Sequence, residues 1–185
     1  MVMWPFAQPK KDPRGGRLVF LIECLLNQNA RDLGAAVNPA VSREIIELLA
    51  DAGIGMVQIP CPEIACLGFE RRHPPGQSIR DALKAPKPVT CCQRLAEVTA
   101  DRIQCYLDQQ FEVLAILGGN EQSPGCAVHT TAAGESHLND RSGIFMQALA
   151  AELAQRNLCI AFRGMRDADD ELLSEDLDWM RSRLS

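Results

Sequence analysis

The sequence predicts a three-layer, Rossmann-like α/β domain built on a mostly parallel sheet of at least four strands. Two observations predict it. Short apolar runs alternate along the chain with longer segments whose apolar residues recur at helical spacing. The apolar runs show little polar alternation, as expected of strands covered on both faces. Strands joined in this way close into a parallel sheet through right-handed crossovers.

Residues 1–16, rich in proline, glycine and charge, read as an irregular N-terminal arm, and residues 17–185 as one α/β domain. R-L-V-F-L-I-E (17–23) is the first strand. The basic residues Lys10, Lys11, Arg14 and Arg17 ahead of an apolar run superficially resemble a secretion signal. Glu23 interrupts that run, however, and Asn27, Gln28 and Asn29 stand where a small-residue cleavage site would be. The run is also too short to span a bilayer. The reading is therefore a cytoplasmic protein with no membrane association. Pro39 suits the first turn of a helix through Asp51, which Gly53 ends. I-G-M-V-Q-I (54–59) is the second strand, stopped by Pro60. Residues 60–90 read as a long proline-rich loop with one short helix near 78–84, and loops of that length are usually functional. A helix over 92–109 and a strand over 111–117 follow, then a loop over 118–141. Ser142 is placed as the cap of a helix to about 157, with Phe145, Leu149 and Leu153 on one face. A fourth strand over 158–162 leads to a last helix over 167–183. Leu173, Leu177, Met180 and Leu184 form its apolar stripe, and its acidic start and basic end suit the helix dipole.

A net charge of −5 argues against a nucleic-acid or membrane-surface partner, since both select a basic face. Arg71, Arg72 and His73 make one local basic patch, read as a solvated loop. Eight cysteines are unusual for a cytoplasmic chain. In a reducing compartment they serve as buried small apolar groups, metal ligands or reactive thiols. Ligands of open α/β sheets bind beyond the carboxyl ends of the strands. Cys24 lies at the carboxyl end of the first strand, Cys61 just past the second, and Cys126 in the loop after the third. Each strand thus delivers one thiol to the same edge. Three thiolates suit zinc with an open fourth position or a cubane cluster with one iron lacking a protein ligand. Spacing alone leaves both open. Cys105 and Cys159 read as core. Cys66 stands close enough to Cys61 in sequence to approach the same edge. Cys91 and Cys92 open a helix, where the dipole lowers a thiol's pKa, and are a candidate redox pair. His129, after Cys126, is a candidate ligand or acid/base, although a loop hydrogen bond is the simpler reading.

The cysteines sit in short motifs: E-C-L-L-N (Glu23 to Asn27), C-P-E (Cys61, Pro62, Glu63) and S-P-G-C (Ser123 to Cys126). In this order, and with V-Q-I-P-C-P-E and G-I-F-M-Q-A-L beside them, the chain resembles the TudS family of thiouracil desulfidases. It is most similar to the TudS-related desulfidase branch. The resemblance spans most of residues 18–165. It implies a [4Fe–4S] cluster held by Cys24, Cys61 and Cys126, with one iron not ligated by protein. It implies an acid/base at Glu63 and a serine near the substrate at Ser123. The activity so implied is a non-redox desulfidase acting on a thiolated small molecule such as a thio-nucleobase. A homodimer is compatible with this reading. There are departures: Gly125 and Ala127 stand in S-P-G-C-A, Asn27 replaces a glycine, and Ile64 to Gly68 replace a glycine-rich stretch. They bear on substrate identity more than on the cluster, although Cys66 becomes a competing ligand.

Overall fold

A computed structural model describes residues 12–131 and 134–184, apart from the side chain of residue 137. The first eleven residues of the expected arm lie outside the described residues, and 12–16 are irregular. The main sheet is formed by β1 (Arg17–Ile22), β2 (Gly55–Ile59), β3 (Glu112–Gly118) and β6 (Phe162–Gly164). Their order is β2-β1-β3-β6, and every pairing is parallel. The helices between them are α1 (Glu23–Leu26), α2 (Arg43–Asp51), α3 (Pro62–Leu67), α4 (Ile79–Leu83), α5 (Pro86–Asp108), α6 (Ile144–Gln155) and α7 (Asp170–Leu184). The α/β, Rossmann-like expectation holds, with helices flanking a four-stranded parallel sheet.

The central strands β1 and β3 supply the middle of the core. Val19, Leu21, Ala115 and Leu117 are wholly buried there, which explains apolar runs without alternation. Ile45 and Leu49 of α2, Ala96, Ala100 and Ile103 of α5, and Phe145, Leu149 and Leu153 of α6 cover the sheet. Leu173, Leu177 and Met180 of α7 are buried as the stripe predicted.

Several boundaries differ, each for a local reason. α2 begins at Arg43, not Pro39. Residues 37–42 instead form a strap whose backbone is tied to the first site loop, through Gln28 N–H to Ala40 O (2.7 Å) and Ser42 N–H to Leu25 O (2.9 Å). The 60–90 region is not mainly loop. Pro62 opens α3, and Pro86 and Pro88 fall in the first turn of α5, where amides have no intrahelical partner. Ser142 does not cap α6. It is buried and its Oγ accepts from the Asn139 amide (2.9 Å), while Gly143 takes the cap position. β6 is displaced to Phe162–Gly164, because those are the residues that stand in register with β3. Cys159 therefore precedes the strand and is exposed, and Cys105 is exposed on α5, so neither is core. A hairpin of β4 (His129–Thr130) and β5 (Ser136–His137) is too short to leave a sequence pattern.

Candidate functional site

β1, β2 and β3 end at one sheet edge, where a cavity of about 220 Å³ opens. Cys24, Cys61, Cys126, Glu63 and Ser123 all line it. The chain makes this gathering by turning sharply after each strand. β1 runs straight into α1, which places Cys24 in its first turn. Pro60 stops β2, and Cys61 becomes the N-cap residue of α3. After β3 the backbone folds back, with Gly119 N–H donating to Cys126 O (2.8 Å) and a parallel bridge joining Gly119 to Ala127.

The C-P-E and S-P-G-C motifs interlock. The Gly125 amide donates to Glu63 Oε1 (3.3 Å), and the Ser123 hydroxyl donates to the same oxygen (3.4 Å). Ser123 Oγ also lies 3.0 Å from Cys126 Sγ. A Cβ at position 125 would stand 2.6 Å from Pro62 Cγ. Glycine in this motif is therefore the condition for its contact with C-P-E, not only a change in the pocket lining.

Three further residues carry the site and were not identified from the sequence. Arg71 was read as part of a solvated basic loop. It is buried, and its Nε donates to Glu63 Oε2 (2.8 Å) while its Nη2 donates to Ala30 O (2.6 Å). Its φ of 47° places a bulky residue in the left-handed region. Such strain, on the order of 1–3 kcal/mol, persists only where surrounding contacts overdetermine it. Glu23 accepts the Cys61 amide through Oε2 (2.8 Å), which locks the first motif to the second. Its charge inside an apolar run was the one signal available. Arg31 lines the cavity and pairs with buried Asp167 (2.5 Å), which also accepts from Ser42 Oγ (2.7 Å).

The three thiols are electrostatically coupled. Burial pushes the Cys24 thiol up to about 12, opposed by the Arg31 charge and raised further by Cys61. Burial pushes Cys126 well up, and the charge of Cys24 adds to it. Cys61 is raised by burial, with amides of the first turn of α3 opposing. Three buried thiols that cost this much to ionise are matched by a positively charged, sulfur-seeking group. A Cβ at Gly119 would stand 2.8 Å from Cys126 Sγ, so glycine keeps room for that sulfur. Three cysteine thiols at one cavity are donors of the kind an iron–sulfur group takes. Among the described residues, no group of three or more His, Cys, Asp or Glu side chains that could hold a metal ion is found.

The remaining candidates fall elsewhere. Cys66 is disulfide-bonded to Cys91 and does not line the cavity, so it is not a competing ligand there. Cys91 and Cys92, the candidate redox pair, are not bonded to each other; Cys92 is free and buried. His129 lies in β4 with Nδ1 3.6 Å from Glu121, outside the cavity lining.

Fold and site define a Rossmann-like α/β protein with a thiol- and carboxylate-lined cavity at the carboxyl edge of its sheet. Among known proteins, the chain is similar to the uncharacterized protein MJ0003 of Methanocaldococcus jannaschii. The two are 24% identical over 147 residues, covering 80% of this chain and 84% of that one. No family model matches the chain, and no solved structure matches it. Among the described residues, no helix is long and apolar enough to cross a membrane.

Proposed function

We propose that this chain is a cytoplasmic, non-redox desulfidase of the thiouracil-desulfidase kind, acting on a thiolated small molecule. The observation that carries the reading is one cavity lined by three thiols from three strands together with Glu63 and Ser123. Cys24, Cys61 and Cys126 would hold a [4Fe–4S] cluster. When bound, that cluster supplies a Lewis-acidic, thiophilic iron for the substrate sulfur.

The chain's own groups supply the proton chemistry. Glu63 faces the cavity with Oε2 held by Arg71 and Oε1 by Gly125 and Ser123, so its orientation is set before substrate arrives. It takes a proton from water as the oxygen attacks the thiocarbonyl carbon. It returns that proton to the departing sulfur. A C–O bond forms, the C–S bond breaks and hydrosulfide leaves, while the second water proton passes to Glu63 as the carbonyl forms, with no net electron transfer. Ser123 Oγ lies between Glu63 and Cys126, and once Glu63 has taken up a proton the serine hydroxyl turns from that oxygen to donate to substrate or departing sulfur.

The test is iron and acid-labile sulfide analysis of anaerobically reconstituted protein beside Cys24→Ser, Cys61→Ser and Cys126→Ser, with hydrosulfide release from 2-thiouracil assayed in parallel. Wild type should be brown and each serine variant depleted of iron. Glu63→Gln should keep its iron and lose turnover by roughly 10²-fold or more, the scale of a positioned acid/base. Colourless, iron-free wild type would overturn the reading. Iron-loaded protein that releases no hydrosulfide would make it a metal-storing protein instead.

A further inference from the structure

Behind the cavity lies a second sulfur cluster that the proposed desulfidation does not use. α3 carries Cys66 one turn beyond Glu63, and α5 carries Cys91 and Cys92 in succession. Cys66 and Cys91 form a disulfide with Cα atoms 5.6 Å apart. The free Cys92 Sγ lies 3.7 Å from Cys66 Sγ. The bonded pair is half-buried, while Cys92 is wholly buried. α3 joins the two regions, since Glu63 lines the cavity and Cys66 follows it on the same helix.

We propose that Cys66, Cys91 and Cys92 form a sulfur-accepting site, in which hydrosulfide opens the Cys66–Cys91 disulfide and leaves a persulfide on Cys91. The position of Cys92 selects the sulfur attacked. Burial, and secondarily Glu63, push the Cys92 thiol up to about 11, so it keeps its proton near neutrality and donates toward Cys66 Sγ. A hydrogen bond stabilises the thiolate that departs, and the better leaving group directs attack to its partner. Hydrosulfide therefore attacks Cys91 Sγ. A new S–S bond forms there, the Cys66–Cys91 bond breaks, and its electron pair goes to Cys66 as a thiolate. The incoming hydrogen stays on the terminal sulfur. The disulfide is reduced and the incoming sulfide is oxidised to sulfane sulfur, so no other oxidant is required. The half-buried disulfide favours a small nucleophile over a bulky thiol. In cytosolic proteins such bonds are usually transient and catalytic. The proposal rests on the desulfidase reading for the source of hydrosulfide, whereas its chemistry is testable without it.

Full-length protein with its disulfide intact is treated anaerobically with sodium hydrosulfide, alkylated and mapped by mass spectrometry. The expected product has gained one hydrogen sulfide, with the persulfide on Cys91 and a single thiol on Cys66. Cys66→Ser should gain none. Cys92→Ala should react roughly fivefold more slowly, the size of one hydrogen bond to the leaving sulfur, and spread the persulfide over Cys66 and Cys91. Cys92→Ser keeps a donor, should retain the Cys91 product, and serves if the alanine variant does not fold. A wild type that gains no sulfur, or carries it on Cys66, overturns the proposal. So does glutathione forming a mixed disulfide as fast as hydrosulfide forms the persulfide. Added hydrosulfide bypasses the cavity, so a failed desulfidase assay leaves this result standing, and the reverse.

Discussion

At Gly125 one missing side chain joins two motifs. Its amide bonds Glu63 and its bare Cα lets Pro62 approach. Gly125→Ala should cost about 1–3 kcal/mol, the range for overpacking a close contact, and should lower turnover by displacing Glu63. Urea denaturation and hydrosulfide assays read the two effects. Cys92 allows a test by pH. Its folded-state thiol is held up to about 11 from an ordinary 9.0. A folded pKa above the unfolded one means that stability is intact below pH about 9 and falls as pH rises toward 11, because the unfolded chain ionises first. Melting temperature against pH over that window should fall less steeply in Cys92→Ser than in wild type. The three cavity cysteines were legible from strand ends, whereas Glu63 and Ser123 were legible only through the family resemblance of their motifs; all five line the cavity. Arg71 was not: its role depends on a left-handed backbone turn and a partner eight residues back, which no local pattern marks.

At the scale of elements, α7 is anchored by charge as well as by its apolar stripe. Asp176 is wholly buried and accepts from Arg163 Nε on β6 (2.7 Å) and from Arg166 Nη2 (2.7 Å). The Arg163 guanidinium also lies 5.4 Å from the centre of the Trp179 ring. β6 is a short edge strand, and this pairing ties it to the helix that follows. Asp176→Ala leaves a buried arginine without its carboxylate and should destabilise the protein by about 3–5 kcal/mol, read by urea denaturation. The heptad-like spacing of Leu173, Leu177 and Met180 made α7 readable. The displaced β6 was not, since an apolar run shows that a segment is partly covered and says nothing of which residues enter the ladder.

For the whole molecule, the candidate site is where three chain turns meet, so its integrity and the fold's stability are linked. A group that binds only the folded arrangement stabilises it by mass action. Anaerobic loading with iron and sulfide should therefore raise the melting temperature. Cys24→Ser, Cys61→Ser and Cys126→Ser should each lose that gain, and an iron chelator should reverse it in wild type. The measurement is calorimetry of loaded and chelator-treated protein.

Sequence by itself determined the α/β class, the parallel pairing of apolar strands, and the delivery of Cys24, Cys61 and Cys126 to one edge. These follow from periodicity and from strand ends, which are local properties of the chain. Only the tertiary structure decided what surrounds those thiols. Glu23 reaches the Cys61 amide across 38 residues of chain, and Arg71 reaches Glu63 from a strained turn. It also decided the fate of the other cysteines, pairing Cys66 with Cys91 and leaving Cys92 beside them. The physical reason is the same in each case. A side chain's partner is set by where helices dock on the sheet, and docking is a sum over the core that no single segment encodes.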